Sequence, residues 1–425
     1  MWEEGLKLSL FPMEGHTTVS TYCKELLESE GLFQQLRKEN FKVAIVDLMF
    51  NECGLAFANK LGLPTVGFWG FNFATGPALY TSVFNPPSSL PQTFSSFKDS
   101  MSFFERVWNT LYFMAIHSLM QLEFLTTSNI IRRYIPDSPH PSELLANLSG
   151  MLINSHPAVD YPRLLPPSFL EVAGLHLREK KALPKDILDF VNSSGEHGVI
   201  LFSMGFNFDS KHIPRNVFEN YFRAFGRLKQ KVIVKAKGMP SYLPPNVKIY
   251  SFFPQADILA HNKTVLFISH CGIHGVMEAI ESEVPLVGIP VYLDQRDNLV
   301  RLTDLGIVKG LDKEATVDQI HDAIVTVLKT PSYKENIKSL SKKVKSFGDP
   351  LKKSVWLLEH IMETNGAPHL KLSSRHLGLF QYLCLDVFSF LLLVGLAAIF
   401  VISRIVNKIR RTFKEYDLNT KLKLS

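Results

Sequence analysis

The sequence predicts an α/β protein with parallel sheets, helices on both sheet faces and one membrane-spanning helix near the C-terminus. Three observations carry this. Short apolar runs such as His197–Ser203 (HGVILFS) and Lys231–Lys235 (KVIVK) alternate with helical patterns, the arrangement of parallel sheets. Val265–Ser269, rich in β-branched and aromatic residues, turns at His270, Cys271 and Gly272 into a helical segment around Val276–Ile280. Val387–Ser403 runs for about 17 residues without a charge, close to the length a bilayer span needs.

The second observation bears on function. A strand that turns at glycine into a helix aims backbone N–H groups and the positive end of a helix dipole above the sheet edge, which suits a phosphate. Glu278 lies six residues past Gly272, about 9 Å of helical rise, in reach of a sugar beside that phosphate. Pro285–Pro290 is a second apolar run, and Asp294-Gln295 follow its carboxyl end, where open α/β sheets bind ligands. Singly, each residue has a plainer reading. A His after a strand is commonly a core histidine, a helical Glu is commonly solvated, and an Asp-Gln pair is commonly a turn. Their joint spacing favours a ligand site over three coincidences.

Length and composition bound the rest. The 425 residues suffice for two domains of ordinary size. The net charge of +6 is modest and partly due to a basic C-terminal tail, so it makes no case for nucleic-acid binding. The four cysteines, Cys23, Cys53, Cys271 and Cys384, form no CxxC pair and no metal-ligand spacing, and imply no disulfide framework. No metal site is expected. Met1–Leu10 has no continuous apolar core and no small-residue cleavage site, so it does not read as a secretory leader.

The stretch Phe252–Asn298 resembles the signature of the UDP-glycosyltransferases, in particular the endoplasmic-reticulum UDP-glucuronosyltransferase-like branch. That pattern runs Trp-x-Pro-Gln, His-x-Gly, a Glu some residues on, then Asp-Gln. Here it reads Phe252-Phe253-Pro254-Gln255, His270-Cys271-Gly272, Glu278 and Asp294-Gln295. Phe252 replaces the usual Trp, Cys271 replaces a glycine, and His274 stands where the pattern usually has Asn. Cys271 adds a side chain where backbone would approach the ligand. The resemblance implies that Phe252 and Gln255 hold uridine and Glu278 the ribose. His270, Ser203 and the helix start after Gly272 would face the diphosphate, and Asp294-Gln295 the transferred sugar. Ser203-Met204-Gly205 resembles the family's Ser-x-Gly phosphate loop, with Phe206 in place of a serine.

Read in order, a helix is expected over roughly Tyr22–Glu39 and a strand at Val43–Val46, with Asp47 at its end. The resemblance makes Asp47 the carboxylate that orients a catalytic His; a helix-capping Asp is the competing reading. His16, 31 positions earlier in the stretch FPMEGHTT, has no counterpart at the family's catalytic His, so the base is not placed. Leu61–Gly70 and Leu152–Ser155 read as strands, with a Pro/Ser/Phe loop at Pro86–Lys98. Phe103–Leu122 is an aromatic helix, either a core helix or one lining an acceptor pocket or facing a membrane. Asp160–Gly174 is proline-rich and resembles an interdomain linker. Ser332–Lys345 and Val355–Glu363 read as helices.

The resemblance thus implies two Rossmann-like domains of the GT-B type, the N-terminal one incomplete, and a C-terminal transmembrane helix. Residues 1–172 would be the acceptor-binding part with its linker, 173–350 the donor-binding domain, 351–386 C-terminal helices, 387–406 the span and 407–425 a cytosolic tail. Arg404, Lys408, Arg410, Arg411 and Lys414 after the span place that tail in the cytosol and the body in the lumen. Sequons at Asn147, Asn192 and Asn262 fit a lumenal body. The last five residues, Lys421–Ser425, resemble a dilysine retrieval signal. The implied reaction transfers a hexosyl group, glucuronosyl or glucosyl, from a UDP-sugar to a hydroxyl of a small lipophilic acceptor, with the UDP-sugar as co-substrate and no separate cofactor. The alternative is a catalytically silent, membrane-anchored UDP-sugar-binding subunit pairing with a full-length homologue, in a homo- or hetero-oligomer.

Overall fold

The computed structural model describes residues 11–71, 78, 80, 81, 83, 85–205 and 213–423. Residues up to Leu372 form one compact unit and Ser373–Ser425 another. Among the described residues the first unit holds two parallel sheets.

Helices α1 (Phe11–Glu28) and α2 (Glu30–Lys38) come first. The single helix expected over Tyr22–Glu39 is therefore broken, and the break falls at Ser29. Its hydroxyl donates to the carbonyl of Glu25 at 2.7 Å, a local bond that competes with helix continuation. Then follow β1 (Ala44–Asp47), α3 (Glu52–Lys60) and β2 (Thr65–Trp69). Cys23 of α1 and Cys53 of α3 form a disulfide with Cα atoms 5.5 Å apart, within the range such bridges need. This corrects the expectation of no disulfide. Two cysteines 30 residues apart make no local motif, and it is the packing of two helices that brings them together.

The long helix α4 (Phe103–Tyr134) starts at a capping box in which Ser102 N–H donates to Glu105 Oε2 at 2.7 Å. Its 32 residues span about 48 Å. The aromatic stripe is not core. Phe104, Leu111 and Met114 face out and Trp108 is 65% exposed, whereas Asn109 is fully buried. Farther along, Phe124 and Ile131 supply the packing. After α5 (Pro141–Ala146) come β3 (Gly150–Ile153) and β4 (Phe169–Glu171). The first sheet runs β1-β2-β3-β4, all parallel. The expected linker Asp160–Gly174 therefore contains an edge strand, Phe169 pairing with Met151. Three residues after two prolines are too short a pattern to read as a strand.

The second half begins with α6 (Lys185–Asn192), β5 (Val199–Ser203) and α7 (Arg215–Phe225). Strands β6 (Lys231–Lys235) and β7 (Val247–Tyr250) follow, then α8 (Gln255–Ala260), β8 (Thr264–Ser269) and α9 (Ile273–Glu281). Strand β9 (Leu286–Gly288), helix α10 (Gln295–Asp304) and strand β10 (Val308–Gly310) complete this sheet, ordered β10-β9-β8-β5-β6-β7 and parallel throughout. Alternation within β5 explains why it is apolar on both faces. Ile200 and Phe202 meet Tyr221, Phe222 and Phe225 on one side, and Val199 and Leu201 meet Ile233 and Phe267 on the other.

Helices α11 (Val317–Lys329) and α12 (Pro331–Ser346) finish this half, and α13 (Pro350–Glu363) crosses back. Leu357 and Ile361 of α13 are fully buried against Val66 of β2, Leu152 of β3 and Val172. Gly150 allows this approach: a Cβ there would lie 3.2 Å from both side chains. Helix α13, at the start of the stretch 351–386 expected as C-terminal helices, thus packs into the first half's core. In the second unit, α14 (Leu379–Tyr382) precedes α15 (Leu385–Lys423). Leu385–Thr412 is long and apolar enough to cross a membrane and is exposed throughout. It contains the expected span 387–406, and the tail beyond continues as helix.

The disulfide gives a prediction. Titration of the denatured, unreduced protein should find two thiols, those of Cys271 and Cys384, and four after reduction. Replacing Cys23 and Cys53 by Ser should cost about 2–4 kcal/mol of stability, read as an earlier thermal transition. Four reactive thiols before reduction would remove the bridge.

Candidate functional site

In the six-stranded parallel sheet the order in which strands are added reverses between β5 and β8, and open α/β sheets bind ligands at such a switch point. Both strands end in serine there, Ser203 paired with Ser269. Each hydroxyl accepts a backbone N–H from the turn beyond it, Ser203 from Gly205 at 3.4 Å and Ser269 from Cys271 at 3.2 Å. His270 stands between those turns. A Cβ on Gly205 would lie 2.7 Å from the imidazole, and one on Gly272 would lie 2.4 Å from it. Glycine at both positions is what admits the ring. Gly205, at φ +86°, also needs glycine for its backbone. Burial, with Lys235 and His274 adding to it, pushes His270 down to about 4, so the ring is neutral at pH 7. Its Nδ1 is buried without a hydrogen-bond partner among the described residues, a polar atom with capacity left for a ligand. Gly272 is the N-cap of α9 and, among the described residues, no side chain caps that helix start, leaving backbone N–H groups for an anion.

Beside this lies a second cluster. Gln255 Nε2 donates to Glu278 Oε2 at 2.6 Å, so two residues 23 positions apart, expected to hold uridine and ribose, are in contact. Burial raises the Glu278 carboxyl. Phe252 is 70% exposed, an aromatic face open for stacking. The segment after β4 wraps over the start of α8: Arg178 pairs with Asp257 at 2.7 Å, and His176 Nε2 donates to the His274 carbonyl at 3.1 Å. His274 in turn has Asn154, from the end of β3, 3.4 Å from its Nε2.

A third group closes the other side. Asp294 is the N-cap of α10, buried, and burial pushes its carboxyl up to about 6. Asn298 Nδ2 donates to Asp294 at 2.7 Å and to the Cys271 carbonyl at 3.0 Å, joining this helix to the turn after β8. Gln295 Oε1 accepts the N–H groups of Val291 and Tyr292 at 2.8 and 3.0 Å, which fixes the loop after β9. The Cys271 side chain, which adds bulk where the sequence pattern has a glycine, packs into the protein rather than toward the cleft surface. With φ at +66° it turns inward, fully buried, and its Sγ lies 2.5 Å from where a Gly288 Cβ would stand.

A narrow cleft runs between the halves, lined by Asn154, Ser155, Gln92 and Tyr161 of the first and Ile273, Asp297 and Asn298 of the second. Asp47 is exposed at the end of β1, its Oδ1 accepting the Met49 N–H at 2.9 Å. The cap of α3 is Asn51, which accepts from Gly54 at 3.0 Å, so Asp47 is not a helix cap. The backbone of His16 lies in α1; its side chain, like Phe206, lies outside the described residues. Sequence reasoning missed Asn298, Asn154, His176, Arg178 and Asp257. It also missed Glu52 in the first turn of α3, which burial pushes up to about 7, and Glu123 of α4, pushed to about 8. Asn298 carried a signal, since it sits one turn past Asp294 on the same helix face. The other partners come together only through tertiary packing.

The sequence matches the family described as UDP-glucoronosyl and UDP-glucosyl transferase over residues 6–419. UDP-glucuronosyltransferase 1A8 of Rattus norvegicus is 33% identical over 385 residues, covering 90% of this chain and 72% of its own. UDP-glucuronosyltransferase 1-2 of Mus musculus is 34% identical over 387 residues, again 90% and 72%. Among solved structures, the spinosyn forosaminyltransferase SpnP aligns with a TM-score of 0.58 at 17% identity, covering 78% of each chain. A UDP-glucosyltransferase from Polygonum tinctorium, capable of glucosylating indoxyl, aligns at 0.56 and 15% identity over 82% of this chain and 81% of its own. At such identities the structural likeness establishes the fold, two Rossmann-like halves of the GT-B type. The matched family and the closely spaced relatives establish descent: this chain belongs to the UDP-glucuronosyl and UDP-glucosyl transferase family.

Proposed function

We propose that the chain binds a UDP-sugar at the switch point of its second half and transfers the glucuronosyl or glucosyl group to a hydroxyl of a small lipophilic acceptor. One observation carries this most: His270, neutral and with an unpartnered Nδ1, stands between two glycine turns beside the uncapped start of α9. Negative charge grows on the leaving diphosphate as the sugar departs. Neutral donors and helix N–H groups aimed at it stabilise that charge more in the transition state than in the ground state. Phe252 would stack on uracil, Gln255 and Glu278 would hold uridine and ribose, and Asp294 with Gln295 would hold the sugar hydroxyls. Direct in-line attack by the acceptor would invert the anomeric carbon. A general base takes the acceptor proton, with Asp47 the candidate carboxylate beside it. The chemistry as written needs no metal or cofactor.

The exposed apolar side of α4 supports a lipophilic acceptor or a membrane nearby, since large apolar patches mark such contacts. The body is read as lumenal in the endoplasmic reticulum. The basic cluster after Ser403 favours a cytosolic C-terminus, and a disulfide between Cys23 and Cys53 suits an oxidising compartment. A second reading is a silent UDP-sugar-binding subunit, alone or paired with a homologue. What favours it is Asp47: among the described residues no histidine side chain hydrogen-bonds to it, and its carboxylate serves the turn at Met49.

Three outcomes are expected. Calorimetry on the full chain in detergent should detect UDP binding at or below millimolar concentration, and Glu278→Ala should weaken it by roughly 1.5–3 kcal/mol. A folded chain that ignores UDP would sink the donor site. In a UDP-release assay with a panel of lipophilic phenols, turnover should fall about 10²–10⁴-fold in Asp47→Asn; UDP binding with no turnover by the parent would favour the silent subunit. In microsomes, the exposed sequons at Asn147, Asn192 and Asn262 should give an endoglycosidase mobility shift, with a C-terminal tag open to added protease. A protected tag on an unshifted chain would reverse the topology.

A further inference from the structure

We propose that Asp297 is a positioning residue, whose carboxylate clamps the Phe94–Ser96 loop of the first half onto α10, the helix that begins with the sugar-facing pair Asp294 and Gln295. The proposal deepens the reading above and rests on it for the role of that pair.

The loop Pro86–Lys98 is held from two sides. On its own half, Asn109 of α4 is fully buried and spends its whole side chain on the loop. Its Nδ2 donates to the carbonyls of Pro87 at 2.7 Å and Leu90 at 2.9 Å, and its Oδ1 accepts the Gln92 N–H at 2.8 Å. At the tip the loop crosses to the second half. The N–H of Phe94 donates to one oxygen of Asp297 at 2.5 Å, and the N–H of Ser96 donates to the other at 2.8 Å. Lys98 Nζ then reaches Asp304, the last residue of the same helix, at 2.5 Å. The strap therefore spans α10 from its first turn to its last.

The backbone at the tip shows what holds it. Phe94 has φ +71° and Ser96 has φ +56°, the left-handed region that non-glycine residues avoid. Backbone turning through such residues presents N–H groups to one side and cradles an anion. Residues in sparsely populated conformations persist where their surroundings over-determine them, and here the surrounding anion is Asp297. Its place matters as much as its charge. Asp297 lies in the first turn of α10, two residues past Gln295, so a force on the loop acts on the helix start that carries the sugar-facing residues. The other grip on α10 is separate: Arg301 donates from Nε and Nη2 to the carbonyls of Val159 and Asp160, both at 3.2 Å.

The test is amide hydrogen exchange on the full chain in detergent, comparing the parent with Asp297→Ala and Asp297→Asn, with and without UDP-glucose. Without ligand, exchange at the Phe94 and Ser96 amides should quicken about tenfold or more in Asp297→Ala. Asp297→Asn keeps one acceptor oxygen and should recover part of the protection. UDP-glucose should slow exchange at these two amides in the parent and leave them unaffected in Asp297→Ala, though the nucleotide still binds through Phe252, Gln255 and Glu278. That ligand dependence is the readout a merely structural carboxylate would not give. Unchanged exchange in Asp297→Ala, or equal slowing by UDP-glucose in both proteins, overturns the proposal. A parent chain that fails to bind UDP-glucose overturns the donor-site reading instead, because the ligand-free comparison still reports the clamp by itself.

Discussion

The structure depends on a clearance around one imidazole. His270 leaves the end of β8 at the point where the sheet reverses its order, and hydrogens rather than methyl groups meet it from Gly205 and Gly272. Without that space the ring would be expelled and the turns after β5 and β8 could not lie side by side. With it, two strand-end serines, a neutral imidazole and a bare helix start share one small volume. Burial keeps the ring neutral.

Around that centre, the two halves are tied by elements whose chain positions are far apart. Helix α13 leaves the second half and buries Leu357 and Ile361 against β2 and β3. Arg301 reaches back to the Val159–Asp160 backbone, and its guanidinium lies 4.5 Å from the centre of the Tyr161 ring, close enough for a cation–π contact. Ser155 donates to Asp160 and Glu171 at 3.0 Å, and Arg163 pairs with Asp160 at 2.9 Å. The cleft is thus walled by polar networks anchored in a shared apolar core.

What could be read from the sequence was whatever depends on near neighbours. The strand at Thr264–Ser269, the turn at Gly272 and the helix to Glu281 follow from a β-branched run, a glycine and a 3.6-residue period. Gln255 and Glu278 could be named from spacing, but their 2.6 Å contact could not, because it depends on how α8 and α9 pack. The same limit hid the Cys23–Cys53 bridge and the three-residue strand at Phe169. Ser29 misled for a different reason: its side chain made a local choice against helix that the apolar pattern did not register. In α4 the outward aromatics and the buried Asn109 invert the usual polarity, and the loop that Asn109 serves accounts for the burial of Asn109.

Cys271 and Gly288 leave one more consequence. The thiol occupies the place where a side chain at position 288 would begin, 2.5 Å from that Cβ, with Leu299 and Val308 closing the remaining space at 2.8 and 2.9 Å. The two positions therefore divide one fixed volume between the turn after β8 and the end of β9. A sequence drifting under selection for this fold can enlarge residue 288 only after residue 271 has shrunk, so the order of the two substitutions is constrained as well as their sizes.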